Sequence, residues 1–310
     1  MSRRPVLPAR TRTAAVALAV ALVAAGCASG AEDAATAPSD PARITIVTDM
    51  YPTAFAAQQV VGDRADVVLL TSPGVEPHDL ELTPKQVAQV ADADLVAFVP
   101  GMIPAVDQAA AQEAADRSVD VTADITRLPA AAPDDHADEA GEHAAGDPHV
   151  WMDPGNMAAM GRTIAAALTA RGLGTDWNTA GLDAAMTALD EEFRAGLAAC
   201  TVKPLVVSHA AFGYLADAYG FEQHGIAGLS PDAEPSPNKL AELSALVRDE
   251  GVTTIYFESL ASPDAAQAIA AETGARTAML DPIEGNTDDQ GYEAIMRGNL
   301  AALEQGQECR

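Results

Sequence analysis

The sequence predicts an α/β fold with two lobes, each built on a parallel sheet flanked by helices and joined by one long, rigid linking helix. Two separate stretches of chain alternate short β-rich runs with helices of about ten residues, the pattern of βα units and a parallel sheet. A long helical block, residues 176–200, separates them. Both stretches place histidine or aspartate where a buried strand is predicted to end. Because the carboxyl ends of parallel strands converge on one crevice, we expect a metal site in the cleft between the lobes.

The N-terminal lobe is predicted over residues 43–175. Its candidate strands are RITIVT, DVVLL, DLVAFVP and SVDV, and helices follow as PTAFAAQQVVG, KQVAQVADA and residues 104–116. Thr83 followed by Pro84 is typical of a helix start. A further helix is predicted over about 155–171.

A change of composition marks residues 130–147 within this lobe. The segment AAAPDDHADEAGEHAAGD has no large apolar residue and cannot bury a core, so it predicts a mobile loop. Its two histidines, His136 and His143, are expected to be solvated loop residues. The alternative is that they are mobile-loop ligands for a metal.

The linking helix at 176–200 carries apolar residues at helical spacing, and the βα rhythm then restarts in a C-terminal lobe over 201–310. Candidate strands are PLVVSH, TTIYFE and RTAMLD, and helices are expected at AAFGYLADAYG, 238–249, PDAAQAIAAETG and 288–306.

The N-terminus predicts export. Arginines precede a twelve-residue apolar run, AAVALAVALVAA, that is too short to span a bilayer, so residues 1–26 are typical of a signal peptide. The small residues before Cys27 indicate a lipidated cysteine, or else an ordinary signal with an incidental cysteine. Residues 27–42 are small and polar and predict a flexible tether. We expect a protein lipid-anchored on the outer face of the cell membrane, or periplasmic.

Removal of residues 1–26 leaves 14 basic and 45 acidic residues, a net charge of −31. Such a surface repels nucleic acid and anionic membranes and attracts cations. Most of the negative charge, however, is expected to serve solubility. We therefore expect no nucleic-acid partner and contact with membrane only through the anchor.

The chain has three cysteines. If Cys27 is lipidated, Cys200 and Cys309 remain in an oxidising compartment, where a disulfide is the default. Two separate buried thiols are the alternative.

Four residues in loops after predicted strands are candidate metal ligands: His78 in GVEPHDLELTP, His149 in GDPHVWMDP, His209 in PLVVSHAAFG and Asp281 in TAMLDPIEG. Three imidazoles and one carboxylate suit the tetrahedral coordination of zinc. Taken singly, a histidine at a strand end is usually a polar residue near the surface, and a water could take the place of Asp281.

Two acids are candidates to orient a bound imidazole, as metal-bound histidines require. Glu258 ends the strand TTIYFE and Asp153 follows His149 closely. A salt bridge or a helix cap is the alternative for both. His224 has no such companion and is expected to be structural or exposed.

Several segments together resemble the zinc-binding substrate-binding proteins of metal-uptake ABC transporters, a family with a rigid helical backbone between two α/β lobes. They are EPHDLELTPKQVAQVADADLV, DPHVWMDP, LVVSHAAFGYLADAYG, GLSPDAEPSPNKLAEL, FESLASPDAAQAIAAETG and LDPIEG, in family order from about residue 43 onwards. The resemblance implies that His78, His149, His209 and Asp281 are the ligands. Manganese-binding relatives typically have glutamate at the third position, so His209 favours zinc.

The resemblance implies a protein that captures Zn(II) and delivers it to a membrane permease without chemistry on the metal. It leaves a manganese or other divalent-metal carrier, or a lipid-anchored adhesin, as alternatives. A zinc hydrolase is disfavoured because HExxH is absent and Asp281 would fill the open coordination position. We expect no catalytic residues, a cognate permease as partner, possible loading by a zinc metallochaperone, and a monomer.

Overall fold

The computed structural model describes residues 43–130, 146–285 and 290–309. Several predicted features lie outside these ranges: the signal peptide 1–26, the tether 27–42, Cys27, His136 and His143. Within the described ranges, no helix combines the length and the apolarity that a bilayer span requires.

The first half of the chain forms a parallel four-stranded sheet in the order β2-β1-β3-β4. Its strands are β1 (Ile44–Thr48), β2 (Ala65–Leu69), β3 (Leu95–Phe98) and β4 (Ser118–Asp120). The helices are α1 (Tyr51–Val61), α2 (Pro84–Asp92) and α3 (Pro104–Glu113). The predicted start of α2 is found: the Thr83 hydroxyl accepts from the Gln86 amide, and the Gln86 side chain accepts in return from the Thr83 amide.

The second half repeats this arrangement as a parallel sheet in the order β6-β5-β7-β8. Its strands are β5 (Pro204–Val207), β6 (Glu222–Gly225), β7 (Thr254–Phe257) and β8 (Arg276–Met279). The helices are α6 (Gly213–Tyr219), α7 (Pro237–Asp249), α8 (Asp264–Thr273) and α9 (Tyr292–Gly306). The predicted α/β fold with a parallel sheet in each half is therefore confirmed.

Strand β6 was not predicted from the sequence. Its residues, EQHG, are polar and lack the β-branched side chains of a typical strand. It forms an edge strand because its backbone pairs in parallel with β5 along its whole length. His224 lies half-buried on this strand.

In chain order, α4 (Pro154–Ala170) and α5 (Thr179–Leu197) come between the strands of the two sheets. The 19 residues of α5 make a rod of about 28 Å. Helix α5 packs against α1 and α4 of the first half and against α6 and α9 of the second. Its buried side chains recur at helical spacing, as Leu182, Met186, Leu189, Phe193 and Leu197. One continuous apolar core consequently runs from the first sheet, through α5, into the second half.

A disulfide joins Cys200, just after α5, to Cys309, just after α9. The two cysteines also form an isolated antiparallel bridge, and the amides of Thr201 and Val202 donate to the Gln307 carbonyl. The predicted disulfide therefore ties the beginning of the second half to its end.

Candidate metal centre

Three imidazoles and one carboxylate converge in the cleft between the halves. They belong to His78, His149, His209 and Glu284, and one donor atom from each lies within 4.8 Å of all the others. The Nε2 atoms of His149 and His209 are each 3.1 Å from Glu284 Oε1, and His78 Nε2 is 3.5 Å from it. His149 and His209 are fully buried, and the His78 side chain is 6% exposed. The structure thus brings the three predicted histidines together.

The topology explains this convergence for three of the four residues. His78 lies in the loop after β2, His209 two residues after β5, and Glu284 in the loop after β8. These loops leave the carboxyl ends of parallel strands, where ligand sites in α/β sheets form. His149 differs from the expectation, because no strand precedes it directly. It stands just before a single 3-10 turn, Val150–Met152, that leads into α4.

Asp281, the predicted fourth ligand, does not join the cluster: the structure places Glu284 there instead. Asp281 Oδ1 accepts from the Ile283 amide at 2.7 Å, which forms a local side-chain-to-backbone turn. Its own backbone is held by Asn299, whose side chain accepts from the Asp281 amide and donates to the Asp281 carbonyl. Asp281 therefore shapes the loop that presents Glu284.

The backbone at Ile283 completes that presentation. Ile283 is fully buried and has a φ of +61°, a left-handed conformation that is uncommon for a β-branched residue. Such strain persists where the surrounding structure determines it and clusters at functional sites. Here the turn lies immediately before Glu284, whose buried carboxylate contacts the imidazoles.

Two further carboxylates orient two of the rings. His209 Nδ1 donates to Glu258 Oε1 at 2.7 Å, and His149 Nδ1 donates to Asp147 Oδ1 at 2.8 Å. Since a carboxylate only accepts, each Nδ1 carries the proton and each Nε2 faces the cluster.

The sequence argument identified Glu258 for this role but missed Asp147 and offered Asp153 instead. Asp153 caps α4, where its Oδ1 accepts from the Gly155 amide at 2.7 Å. That cap commits its carboxylate to the helix start.

The buried charges shift one another's protonation. Burial alone would raise the pKa of Glu284, but His209 and the nearby imidazoles of His149 and His78 outweigh it and hold that pKa well below its usual value. Burial would likewise lower the pKa of His209, but Glu284 and Glu258 raise it well above 6.5. The pKa of His149 is also raised, by Asp147 and Glu284 against the effect of burial. Each of these shifts favours positive charge on the imidazoles beside an ionised Glu284.

The donor set fits a tetrahedral zinc ion. With zinc at about 2.0–2.1 Å from each donor, tetrahedral donors lie roughly 3.4 Å apart, close to the 3.1–3.5 Å measured around Glu284 Oε1. Several buried atoms also have no hydrogen-bond partner: His78 Nε2, His149 Nε2 and Glu284 Oε2. Orphaned buried polar atoms are rare unless an ion or a water satisfies them.

The fold and this cluster define an α/β protein that could hold one metal ion between two parallel sheets. Comparison with known families gives the particular group: residues 46–306 match the zinc-uptake complex component A, periplasmic (ZnuA), and the chain belongs to that family.

Named relatives agree with this assignment. The chain is 34% identical over 284 residues to the zinc-binding lipoprotein AdcA of Streptococcus pneumoniae, covering 85% of this chain and 56% of AdcA. It is 34% identical over 298 residues to the high-affinity zinc uptake system protein ZnuA of Bacillus subtilis, covering 91% of this chain and 92% of that protein. The chain thus spans about half of AdcA and nearly all of the Bacillus protein.

A solved structure shares the fold. The Zn(II)-bound ZnuA-like domain of Streptococcus pneumoniae AdcA superposes with a TM-score of 0.70 at 33% identity, over 86% of this chain and 99% of that domain. The matched domain is the part of AdcA to which this chain corresponds.

Proposed function

We propose that this protein captures Zn(II) outside the cytoplasm and delivers it to the permease of a metal-uptake ABC transporter. One observation carries the proposal: His78, His149, His209 and Glu284 place four donor atoms within 4.8 Å of one another in a buried cleft. The names of AdcA and of the Bacillus ZnuA support zinc as the cargo.

The chemistry of the donors favours zinc over manganese. Three imidazole nitrogens and one carboxylate make a compact, nitrogen-rich site. Manganese prefers oxygen ligands and stands at the weak end of the affinity order for divalent ions. Copper(II) ranks above zinc in that order, so selectivity in the cell depends on geometry and metal supply as well.

We propose transport and no catalysis. A catalytic zinc keeps one coordination position open for water, with three protein ligands. Here four protein donors surround the site. Among the carboxylates near the site, Asp147 and Glu258 are each already bound to an imidazole.

The remaining features of the proposal follow from the sequence. Residues 1–26 act as an export signal. The mature chain is either anchored to the membrane by a lipid on Cys27 or is a periplasmic protein without that lipid. The protein works as a monomer, and a zinc metallochaperone is proposed as a source of its zinc. The lobes span 43–175 and 201–310, with the linking helix of 176–200 as a rigid connection.

Metal analysis and chelator competition test the function. Protein purified without added metal should contain zinc, bind one equivalent per chain, and resist displacement by a large excess of manganese. His209→Ala should weaken zinc binding at least about tenfold, since it removes a direct ligand. His224→Ala, on the edge strand β6, is the matched control and should leave affinity unchanged. Equal affinities for wild type and His209→Ala would contradict the proposal.

A further inference from the structure

The carboxylate of Asp147 decides where the His149 ring points. Asp147 Oδ1 accepts from His149 Nδ1 at 2.8 Å and from the His149 amide at 2.9 Å. These two bonds fix the ring against its own backbone and turn Nε2 towards Glu284, 3.1 Å away. Any group that holds Asp147 in place therefore also determines the orientation of the His149 ring.

Asp147 is itself held by a residue from the second half of the chain. The Tyr214 hydroxyl donates to the Asp147 carbonyl at 2.9 Å and accepts from the Leu128 amide at 3.0 Å. The Asp147 amide in turn donates to the Leu128 carbonyl at 2.9 Å. Burial raises the pKa of Tyr214 to about 12, so the hydroxyl keeps its proton and donates at any physiological pH.

Gly213, the residue before Tyr214, lies close to the Asp147 carboxylate. A Cβ atom added to Gly213 would lie only 2.7 Å from Asp147 Oδ2. The other atoms around that position, from Gln223 and Leu128, are at 3.6 and 3.7 Å, which are ordinary contacts. The absence of a side chain at Gly213 thus leaves room for one atom in particular, the second oxygen of Asp147.

We propose that Gly213 and Tyr214, at the start of α6, are positioning residues for zinc capture: Tyr214 holds the Asp147 backbone and Gly213 leaves room for the Asp147 carboxylate, so that both set the orientation of His149 from the opposite half of the chain. This inference rests on the proposed function. It makes His149, which the first half contributes, dependent on the second half for its orientation. The cluster is then complete only when the two halves stand in the observed arrangement.

The substitution Gly213→Ala distinguishes a role of Gly213 in orienting His149 from a role in fold stability alone. The added methyl group conflicts with the free end of the Asp147 side chain, and rotation of that side chain relieves the conflict at little cost to the fold. The same rotation removes the acceptor from His149 Nδ1. Gly298→Ala is the matched control, because this helical glycine in α9 has no atom within 4 Å of an added Cβ.

Tyr214→Phe tests the hydroxyl, with a control on the same helix. Tyr219→Phe also removes one hydroxyl, which donates to Asp190 Oδ1 at 3.1 Å. Asp190 lies on α5 and is not a member of the cluster of imidazoles and Glu284.

Three measurements are made on each full-length mature protein. The Nδ1 proton of His149 is observed by ¹H–¹⁵N NMR without zinc, the zinc dissociation constant is measured by chelator competition, and the cobalt(II) absorption spectrum reports tetrahedral geometry. We expect Gly213→Ala and Tyr214→Phe to shift the His149 signal, raise the dissociation constant about tenfold and alter the cobalt spectrum. Both controls should match wild type in all three.

The outcomes separate the inference from the proposed function. Wild-type protein that binds no zinc would overturn both. Tight zinc binding by wild type together with an unchanged His149 signal and affinity in Gly213→Ala would overturn the positioning role alone. A drop in the unfolding temperature of zinc-free Gly213→Ala with no change in the His149 signal would show a structural role instead, and would also overturn it. If Tyr214→Phe fails to fold, Gly213→Ala decides.

Discussion

Glu284→Gln should abolish tight zinc binding, whereas Asp281→Asn should not. Both substitutions remove one negative charge from the same loop, so their long-range electrostatic effects are matched. Glu284→Gln keeps the shape of the side chain but removes the charge that lies 3.1 Å from two imidazole nitrogens. Asp281→Asn keeps a side-chain oxygen that can accept from the Ile283 amide. The pair therefore distinguishes a ligand from a loop-shaping residue.

The magnitude follows from the burial of the carboxylate. Removing one partner of a buried, hydrogen-bonded charge pair costs about 3–5 kcal/mol. Since about 1.4 kcal/mol is a factor of ten, the zinc dissociation constant of Glu284→Gln should rise at least about 100-fold. For Asp281→Asn we expect a change within about threefold.

Chelator competition at pH 7.5 measures both constants, and thermal unfolding in the presence of a chelator verifies that both variants fold. A 100-fold loss in Asp281→Asn, with Glu284→Gln close to wild type, would refute the assignment of the fourth ligand.

Three other predictions concern the partner of His209, the pH dependence and the disulfide. Glu258→Gln should weaken zinc binding about 10–100-fold in competition titrations while the protein stays folded, because the carboxylate orients His209; unchanged affinity would exclude that role. As pH falls from 8 to 6.5, zinc affinity should decrease while the zinc-free protein becomes more stable. The raised pKa of His209 lets the native state bind its proton before the unfolded chain does, and that proton competes with zinc. Calorimetry and denaturant titration across this range check both signs, and a flat profile in either would contradict the argument. Replacing Cys200 and Cys309 by alanine should lower the free energy of unfolding by about 2–5 kcal/mol in urea titrations, since the bridge closes 109 residues; an unchanged midpoint would show that it adds nothing.

His78 and His209 could be predicted from sequence because their positions depend on a simple rule of topology. His78 and His209 follow strands of two sheets with the same strand order, and parallel strands send their following loops to one edge. The alternation of strands and helices could also be predicted, because apolar runs and turn residues are local signals in the sequence. Strand β6 lacked that signal, because pairing with β5 rather than its own composition makes it a strand.

The fourth member of the cluster could not be read in the same way. Asp281 lies two residues after the end of β8 and matches the family pattern of ligands. The direction of the chain after it, however, depends on a left-handed turn at Ile283. No local preference predicts that conformation for a β-branched residue. The one available signal was a second acid, Glu284, in the same short loop.

Asp147 was missed for a different physical reason. It stands at the edge of a polar, low-complexity segment, and its role depends on a hydrogen bond from Tyr214, 67 positions away in the chain. Contacts over such separations are set by the tertiary fold, whereas sequence patterns report local structure. The spacing of Asp147 two residues before His149 was the only local hint.

X-ray absorption at the zinc edge, on protein loaded with one equivalent of zinc, tests the central claim most directly. The account predicts four-coordinate zinc with nitrogen and oxygen donors at about 2.0–2.1 Å, multiple scattering from three imidazole rings, and no sulfur. In Glu284→Gln, the three imidazoles should remain while the carboxylate oxygen changes. Fewer than three imidazoles in the wild-type spectrum, or an unaltered spectrum in Glu284→Gln, would contradict a site formed by His78, His149, His209 and Glu284.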